Sequence, residues 1–289
     1  MFNATYFTYD GVFSGTYGLI MADFDDSSVV ETAAFSPVLN TIKPVSVNRF
    51  YHNGITYEGV PQHQITVVSE VEIPDFIRRE ILSWLVGRNK FKKLQIHQAD
   101  LEGYYYNCVF TDVEIIYING HCHGFRLTAN FDSPYAYGNP TTRELQSGIN
   151  VVKILNNSDI VDGYVYPTIS FTVSGICNSD AQAVAWTESQ NALATRNPDG
   201  TTTPLDSYNV CIINKTDDAN RRFIFAGLRA NESVTVDNEV KYISSSVGGE
   251  KLSNFNKNWL RLRPGYNELL VDINGTGVIT CPHYAMIGF

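Results

Sequence analysis

Short segments that alternate β-branched or aromatic residues with polar ones fill most of this chain, separated by Asn-Gly, Asp-Gly, Pro-Gly and Gly-Gly pairs roughly every eight to twelve residues. A period of two puts alternate side chains on one face of a strand. The paired turn residues supply the positive-φ angles that tight reversals need. Such a chain is restricted to antiparallel sheets that close into sandwiches or barrels, and the expected fold class is mainly β. One segment breaks the pattern. In IPDFIRREILSWLVG, residues 73–87, Pro74 suits a first helical turn and Gly87 a stop. Phe76, Ile77, Ile81, Trp84 and Leu85 read as one stripe with Arg78, Arg79 and Ser83 away from it, so this single helix should cover a sheet.

At 289 residues there is room for one large or two ordinary domains. The best boundary is SPYAYGNP, residues 133–140, where two prolines, a glycine and an asparagine follow a strand ending at Phe131. A fresh strand, INVVKIL, starts at Ile149. Domains are therefore expected at residues 1–135 and 141–289. Before Ser133 there are 9 basic and 15 acidic residues, and from Ser133 onward 12 and 15, so the net charge of -9 sits mainly in the first domain. That balance excludes a protein that grips nucleic acid by neutralising phosphates. The charged fraction of 18% is below the roughly 25% of ordinary soluble domains, and the 17 Tyr and 16 Phe far outnumber the 3 Met. A surface poor in charge and rich in rigid aromatics suits contact with other proteins.

Cys108, Cys122, Cys177, Cys211 and Cys281 are odd in number and show no paired spacing, which points to a reduced compartment rather than a disulfide framework. No basic leader runs into an apolar stretch at the start, and no run approaches eighteen apolar residues, so folding in a cytoplasm without membrane insertion is expected.

Three hairpins are foreseen. A two-residue turn at Asn53-Gly54 would pair His52 with Ile55, Phe50 with Tyr57 and Arg49 with Glu58. One face of that ribbon would carry Val47, Arg49, Tyr51 and Glu58 and the other Phe50, His52, Ile55 and Tyr57. Neither face is cleanly apolar, so the ribbon should lie against a neighbour rather than its own core. A three-residue bulged loop at Asn119-Gly-His121 would pair Ile115 with Phe125, Val113 with Leu127 and Val109 with Phe131. In WLRLRPGYNELL a Pro264-Gly265 turn would pair Leu260 with Leu269 and Arg261 with Glu268, leaving Trp259 and Tyr266 on the arginine side. These two aromatics with Arg261 are the candidate glycan contacts, and the competing reading is an ordinary hairpin whose charges set register.

Catalytic and metal signatures are weak. His121 and His123 could share a face near Cys108, but Cys122 between them points away, so a polar loop over a small buried thiol is the expectation and no metal or cofactor is assigned. The acidic stretch DFDDSS, residues 23–28, lacks the central glycine and final glutamate of a calcium loop. Asp217/Asp218 and Asp237/Glu239 are the acid pairs that any acidic surface carries, and Tyr104, Tyr105 and Tyr106 suit strand packing better than sugar stacking. No nucleophile elbow, phosphate-cradling glycine loop or His-Glu-x-x-His helix is present, so no catalytic residue is assigned and the chain is not expected to be an enzyme.

The order of several motifs carries a resemblance. The opening FTYDG at Phe7 is followed by YGLI at Tyr17, then the helix from Pro74 leading into Lys92-Lys-Leu94, then the strand pair ending FRLTANFDSPYAYG. Further on come Asn156-Asn-Ser158, YPTI at Tyr166, GLRANESVTVD at Gly227 and WLxLxPGxN at Trp259. With these the chain resembles the distal tail proteins of long-tailed, siphovirus-type bacteriophages or prophages of Gram-positive bacteria. The resemblance implies an N-terminal β-sandwich-like ring domain with one helix and a protruding hairpin, or belt, followed by a C-terminal galectin-like β-sandwich. It implies a structural hub at the virion tail tip, assembled in the host cytoplasm as a hexameric ring. Its partners would be copies of itself, the tail-tube protein, the tail-associated protein and receptor-binding or baseplate proteins, with DNA passing through the lumen unbound. The belt maps to residues 45–67, with Val47, Arg49, Phe50, Tyr51, Tyr57 and Glu58 as interface residues. The alternative is a carbohydrate-binding adsorption module acting through the C-terminal domain.

Overall fold

The computed structural model describes residues 5–22, 37–45, 48–57, 61–160, 162–178, 194–196, 202–204, 207–218 and 221–286. The acidic stretch at 23–28, Val47 and Glu58 lie outside them. The chain divides into two compact units, Met1–Gly138 with Ala285–Phe289, and Asn139–Tyr284.

The first unit contains β1 (Phe7–Tyr9), β2 (Val12–Phe13), β3 (Ile20–Met21), β4 (Pro37–Ile42), β5 (Tyr51–Tyr57), β6 (Gln62–Val68), α1 (Asp75–Leu85), β7 (Lys92–Ile96), β8 (Tyr106–Ile118) and β9 (His121–Phe131). Seven of the strands form one sheet in the order β2-β1-β7-β8-β9-β6-β3. Asp10-Gly11 closes β1–β2 as a two-residue turn with φ of 49° and 81°, both in the left-handed region that Asp and Gly tolerate best. Alternate residues of the strands, among them Tyr106, Cys108 and Phe110 of β8, point into a core that α1 covers. Trp84 holds the helix there: its ring stacks on Phe7 at 5.9 Å and its Nε1–H donates to the Tyr9 carbonyl at 2.9 Å.

The helix differs from expectation at its start. Pro74 is the extended N-cap residue rather than part of the first turn, and Phe76 is 65% exposed while Ile81, Trp84 and Leu85 are buried. At about 100° per residue Phe76 lies off the stripe centred on Ile77, Ile81 and Trp84. The β8–β9 hairpin also differs. Asn119 and Gly120 form a two-residue turn (φ 51° and 87°) between Ile118 and His121. The irregularity sits instead at His123, between the pairs Tyr117–Cys122 and Ile116–Gly124, so that Ile115 does face Phe125. A second bulge at Asp112-Val113, with Asp112 at φ 49°, shifts the register again and sets Val109 opposite Asn130 rather than Phe131.

The largest difference is at Asn53-Gly54. These residues lie inside β5, whose partner is β4, in an antiparallel pair running from Pro37–Tyr57 to Ile42–Tyr51. Between Leu39–Ile55 and Thr41–His52 one residue, Asn40, faces two, Asn53 and Gly54, and Gly54 takes φ 99°. Asn-Gly therefore makes a bulge and not a turn. Pairing along six residues of β4 forms a longer ladder than the few pairs a reversal at Asn53 would allow. The last part of the expected belt, residues 62–67, lies in β6 inside the main sheet.

The second unit contains β10 (Ala136–Leu145) from Asn139 onward, β11 (Gly148–Asn156), β12 (Thr168–Val173), β13 (Cys177–Asn178), β14 (Ala194–Arg196), β15 (Thr202–Pro204), β16 (Ser207–Tyr208), β17 (Val210–Asn214), β18 (Arg222–Phe225), β19 (Ser233–Asp237), β20 (Tyr242–Ser245), β21 (Gly265–Ile273) and β22 (Gly275–Ala285) up to Tyr284. A five-stranded sheet, β10-β22-β12-β19-β20, faces a four-stranded one, β11-β21-β17-β18, with β13-β16 and β14-β15 as separate pairs. Phe171 of one sheet meets Phe225 of the other at 5.4 Å, and Phe223 and Phe255 join that cluster at 4.8–5.5 Å from their neighbours. The molecule is thus mainly β, with one α-helix among the described residues.

WLRLRPGYNELL is not a hairpin. Strand β21 begins at Gly265 and pairs with β11 and β17, Leu269 facing Val152 and Asn214 rather than Leu260. The segment before it is pinned by buried asparagines. The Leu260 amide donates to Asn238 Oδ1 (2.8 Å), Asn214 Nδ2–H donates to the Arg261 carbonyl (2.9 Å), and Asn267 takes both the Arg263 amide and carbonyl (3.0 and 2.8 Å). Side-chain amides that both donate and accept can replace a ladder where the backbone leaves the sheet.

Candidate functional site

The β4–β5 ribbon bonds to no other described strand. A lone two-stranded ribbon is marginal in water, and this one bears large apolar side chains in the open: Val45 fully exposed, Phe50 65%, Leu39 60%, Ile42 53% and Tyr51 49%. Arg49 is exposed beside them and Lys43 Nζ sits 5.4 Å from the Phe50 ring centre. Taking such a side chain from full exposure to full burial contributes roughly 1.5–3 kcal/mol, and about half or more of each of these surfaces is still open. Of the interface residues assigned from sequence, Arg49, Phe50 and Tyr51 therefore lie together on an open ribbon. Tyr57 ends β5 opposite Pro37, with its side chain outside the described set. Sequence reasoning missed β4, which supplies Leu39 and Ile42. The available signal was PVLNTIKP, a β-prone run closed by prolines at both ends.

The candidate glycan contacts are not brought together as a hairpin face. Arg261 Nε donates to Asp217 Oδ2 at 2.7 Å and Arg263 Nε to Asp217 Oδ1 at 3.0 Å, while the Arg261 guanidinium lies 3.9 Å from the Tyr164 ring centre. Glu268, the expected partner of Arg261, is instead 3.8 Å from Lys215. Burial alone would raise the Asp217 carboxyl, but the two arginine hydrogen bonds outweigh it and hold it below the usual carboxylate range. Trp259 packs edge-on against Phe255 at 4.8 Å, and Tyr266 stands 71% exposed on β21 opposite Leu155.

Other candidates resolve as packing or turn chemistry. Cys108 and Cys122 are buried, His121 Nδ1 lies 2.7 Å from Glu72 Oε1, and His123 Nδ1 is 3.3 Å from the Ser69 carbonyl. No group of three or more His, Cys, Asp or Glu among the described residues is arranged to hold a metal. Asp237 accepts the amides of Glu239 and Val240 in a turn, and Tyr284 OH donates to Glu239 at 2.7 Å. Tyr106 is a core residue, and Tyr105 stacks on Tyr137 at 5.5 Å. Among the described residues there are open grooves of about 660 Å³ beside Tyr17, Phe76, Trp84 and Arg88, and of about 430 Å³ over Ser170, Thr172, Thr235 and Val278. Neither converges the nucleophile, base and oxyanion donors that a catalytic site needs.

A family model described as a phage tail protein N-terminal domain matches residues 2–133, and one described as a phage tail C-terminal domain matches residues 170–281. The chain belongs to the phage tail proteins. Among solved structures this tail protein is similar to the Dit protein of phage SPP1, described as a paradigm of the hub adsorption apparatus in phages infecting Gram-positive bacteria. The two share 13% identity over 96% of this chain and 98% of that one, with a TM-score of 0.61. It is also similar to a chain of the phage P2 baseplate in its activated, calcium-containing conformation, at 8% identity over 98% of each chain and a TM-score of 0.49. A comparison with curated proteins finds no match. The tail protein has the fold of the SPP1 hub protein, in agreement with the resemblance carried by its motif order.

Proposed function

We propose that this tail protein is a non-catalytic tail-tip hub whose N-terminal unit builds a hexameric ring. The ribbon of each copy lies on the next, through Val47, Arg49, Phe50, Tyr51, Tyr57 and Glu58 together with Leu39, Ile42 and Val45. The ring joins the tail tube to the tail-associated protein and to baseplate or receptor-binding components, and each copy carries the C-terminal galectin-like domain at residues 141–289. Assembly takes place in the host cytoplasm, and DNA crosses the lumen past an acidic wall that repels it. The observation that carries this reading is the detached ribbon with its open apolar side chains. A closed ring needs one patch that meets a different patch on the neighbour, and a projecting ribbon provides the first of the two.

Light scattering and negative-stain microscopy of the purified chain test it. Sixfold rings are expected; a monomer at high concentration, also in the presence of the tail-tube protein, overturns it. The alternative of glycan adsorption gains no support from Trp259 and Arg261, whose ring and guanidinium are engaged by Phe255 and Asp217. Binding of the whole chain to host cell-wall polysaccharide would reverse that judgement.

A further inference from the structure

The ribbon is basic as well as apolar, with Lys43 and Arg49 beside Val45, Phe50 and Tyr51. Elsewhere in the same unit one surface has the opposite character. The link from β6 and the start of α1 read SEVEIPDF, residues 69–76, with Glu70, Glu72 and Asp75 and no basic residue of their own; Asp75 pairs with Arg78 at 3.0 Å, so the acidic character rests on Glu70 and Glu72. Within this stretch Val71 is 71% and Phe76 65% exposed. The tip of the β8–β9 hairpin adds Tyr117 and Ile118, each 54% exposed. These pieces form one surface rather than two. His121 contacts Glu72, the Ile73 amide donates to the Cys122 carbonyl at 2.8 Å, the Ser69 amide donates to the His123 carbonyl at 2.7 Å, and Arg78 donates to Tyr117 OH at 3.4 Å. Ribbon and acidic patch are both open in a single chain, so neither covers the other within it.

We infer that the acidic apolar patch of residues 69–76 and 117–118 is the seat of the basic ribbon of a second copy of this chain. Two exposed apolar surfaces of similar character and opposite sign of charge fit one another better than either fits itself, because ribbon on ribbon or patch on patch juxtaposes like charges. A contact of unlike patches is the heterologous kind that propagates around a ring. Charge complementarity therefore names the occupant, and the inference rests on the ring proposed above.

The test is charge reversal in the full-length protein, read by light scattering and native mass spectrometry across a dilution series. K43E/R49E and E70K/E72K should each weaken self-association about ten-fold or more, with the effect fading at high salt as exposed charges are screened. The fourfold exchange K43E/R49E/E70K/E72K should restore assembly toward the wild-type level, which a fold defect in either pair would not allow. Wild-type rings that withstand both reversals overturn this contact and leave the ring standing. A wild-type chain that never assembles overturns both.

Discussion

The two units meet the same problem, backbone that leaves a sheet, in opposite ways. In the second unit the irregular segments are tied down from inside. Asn156, Asn209, Asn214, Asn238 and Asn267 are buried and spend their amides on loop backbone. Two charge clusters add to this: Asp217 with Arg261 and Arg263, and Glu232 with Lys251 (2.8 Å), Ser245 (2.6 Å) and the Arg229 amide (3.0 Å). In the first unit the ribbon pairs with no other described strand and keeps its apolar side chains outward. The contrast says where the proposed assembly should be sought: not in segments whose backbone is tied from within, but in the one that keeps large apolar side chains in the open.

The sharpest break in that comparison is at Glu232, whose side chain is fully buried. Lys251→Met should lower the unfolding free energy of the second unit by roughly 3 kcal/mol, because it leaves a buried carboxylate with hydrogen bonds but no counter-charge. Urea unfolding followed by tryptophan fluorescence measures it, and assembly of the folded protein should be unchanged.

Acid should act on the same unit more gently. Burial raises the Glu232 carboxyl less than Lys251, Ser245 and the Arg229 amide lower it, so it and Asp217 both sit below their ordinary values. Groups depressed in the folded state contribute stability that is fully present above the unfolded carboxylate range near pH 4 and lost as pH falls through the folded value. The urea midpoint should fall between about pH 5 and pH 3, and Asp217→Asn should flatten that slope while lowering the midpoint at neutral pH.

Gly54→Ala should cost about 1 kcal/mol in the ribbon alone, since φ 99° is strained for any side chain even though a Cβ there meets open space. Faster amide exchange confined to β4 and β5 is the measurement. Smallest in the isolated chain, and most telling for the comparison, Phe50→Ser should change unfolding by no more than about 0.5 kcal/mol under dilution that prevents assembly. The same substitution should nonetheless raise the dissociation constant of self-association. Loss of monomer stability instead would mean that the ribbon is buried by its own unit.

Much of this was legible in the residues. Alternation marked the strands, Asp10-Gly11 and Asn119-Gly120 marked reversals, and the apolar stripe of α1 marked its buried side, because those signals act over two to four residues. Asn53-Gly54 and Pro264-Gly265 misled for one shared reason. A local sequence states which backbone angles are tolerated, and both a turn and a bulge or corner tolerate the same ones. Which of them forms depends on the partner strand: β4 for Asn53-Gly54, and β11 with β17 for the residues after Gly265.

The sequence by itself determined a mainly antiparallel chain with one helix, no basic footprint for nucleic acid, and a segment near residue 50 with neither face cleanly apolar. Only the tertiary structure decided that this segment pairs with residues 37–42 and stands apart from the sheet, and that Arg261 answers to Asp217 rather than to Glu268. The physical reason is range. Side-chain alternation and turn angles are settled among neighbours, whereas strand partners and buried counter-charges are chosen by competition among segments distant in the chain, and that competition is settled only when the core closes.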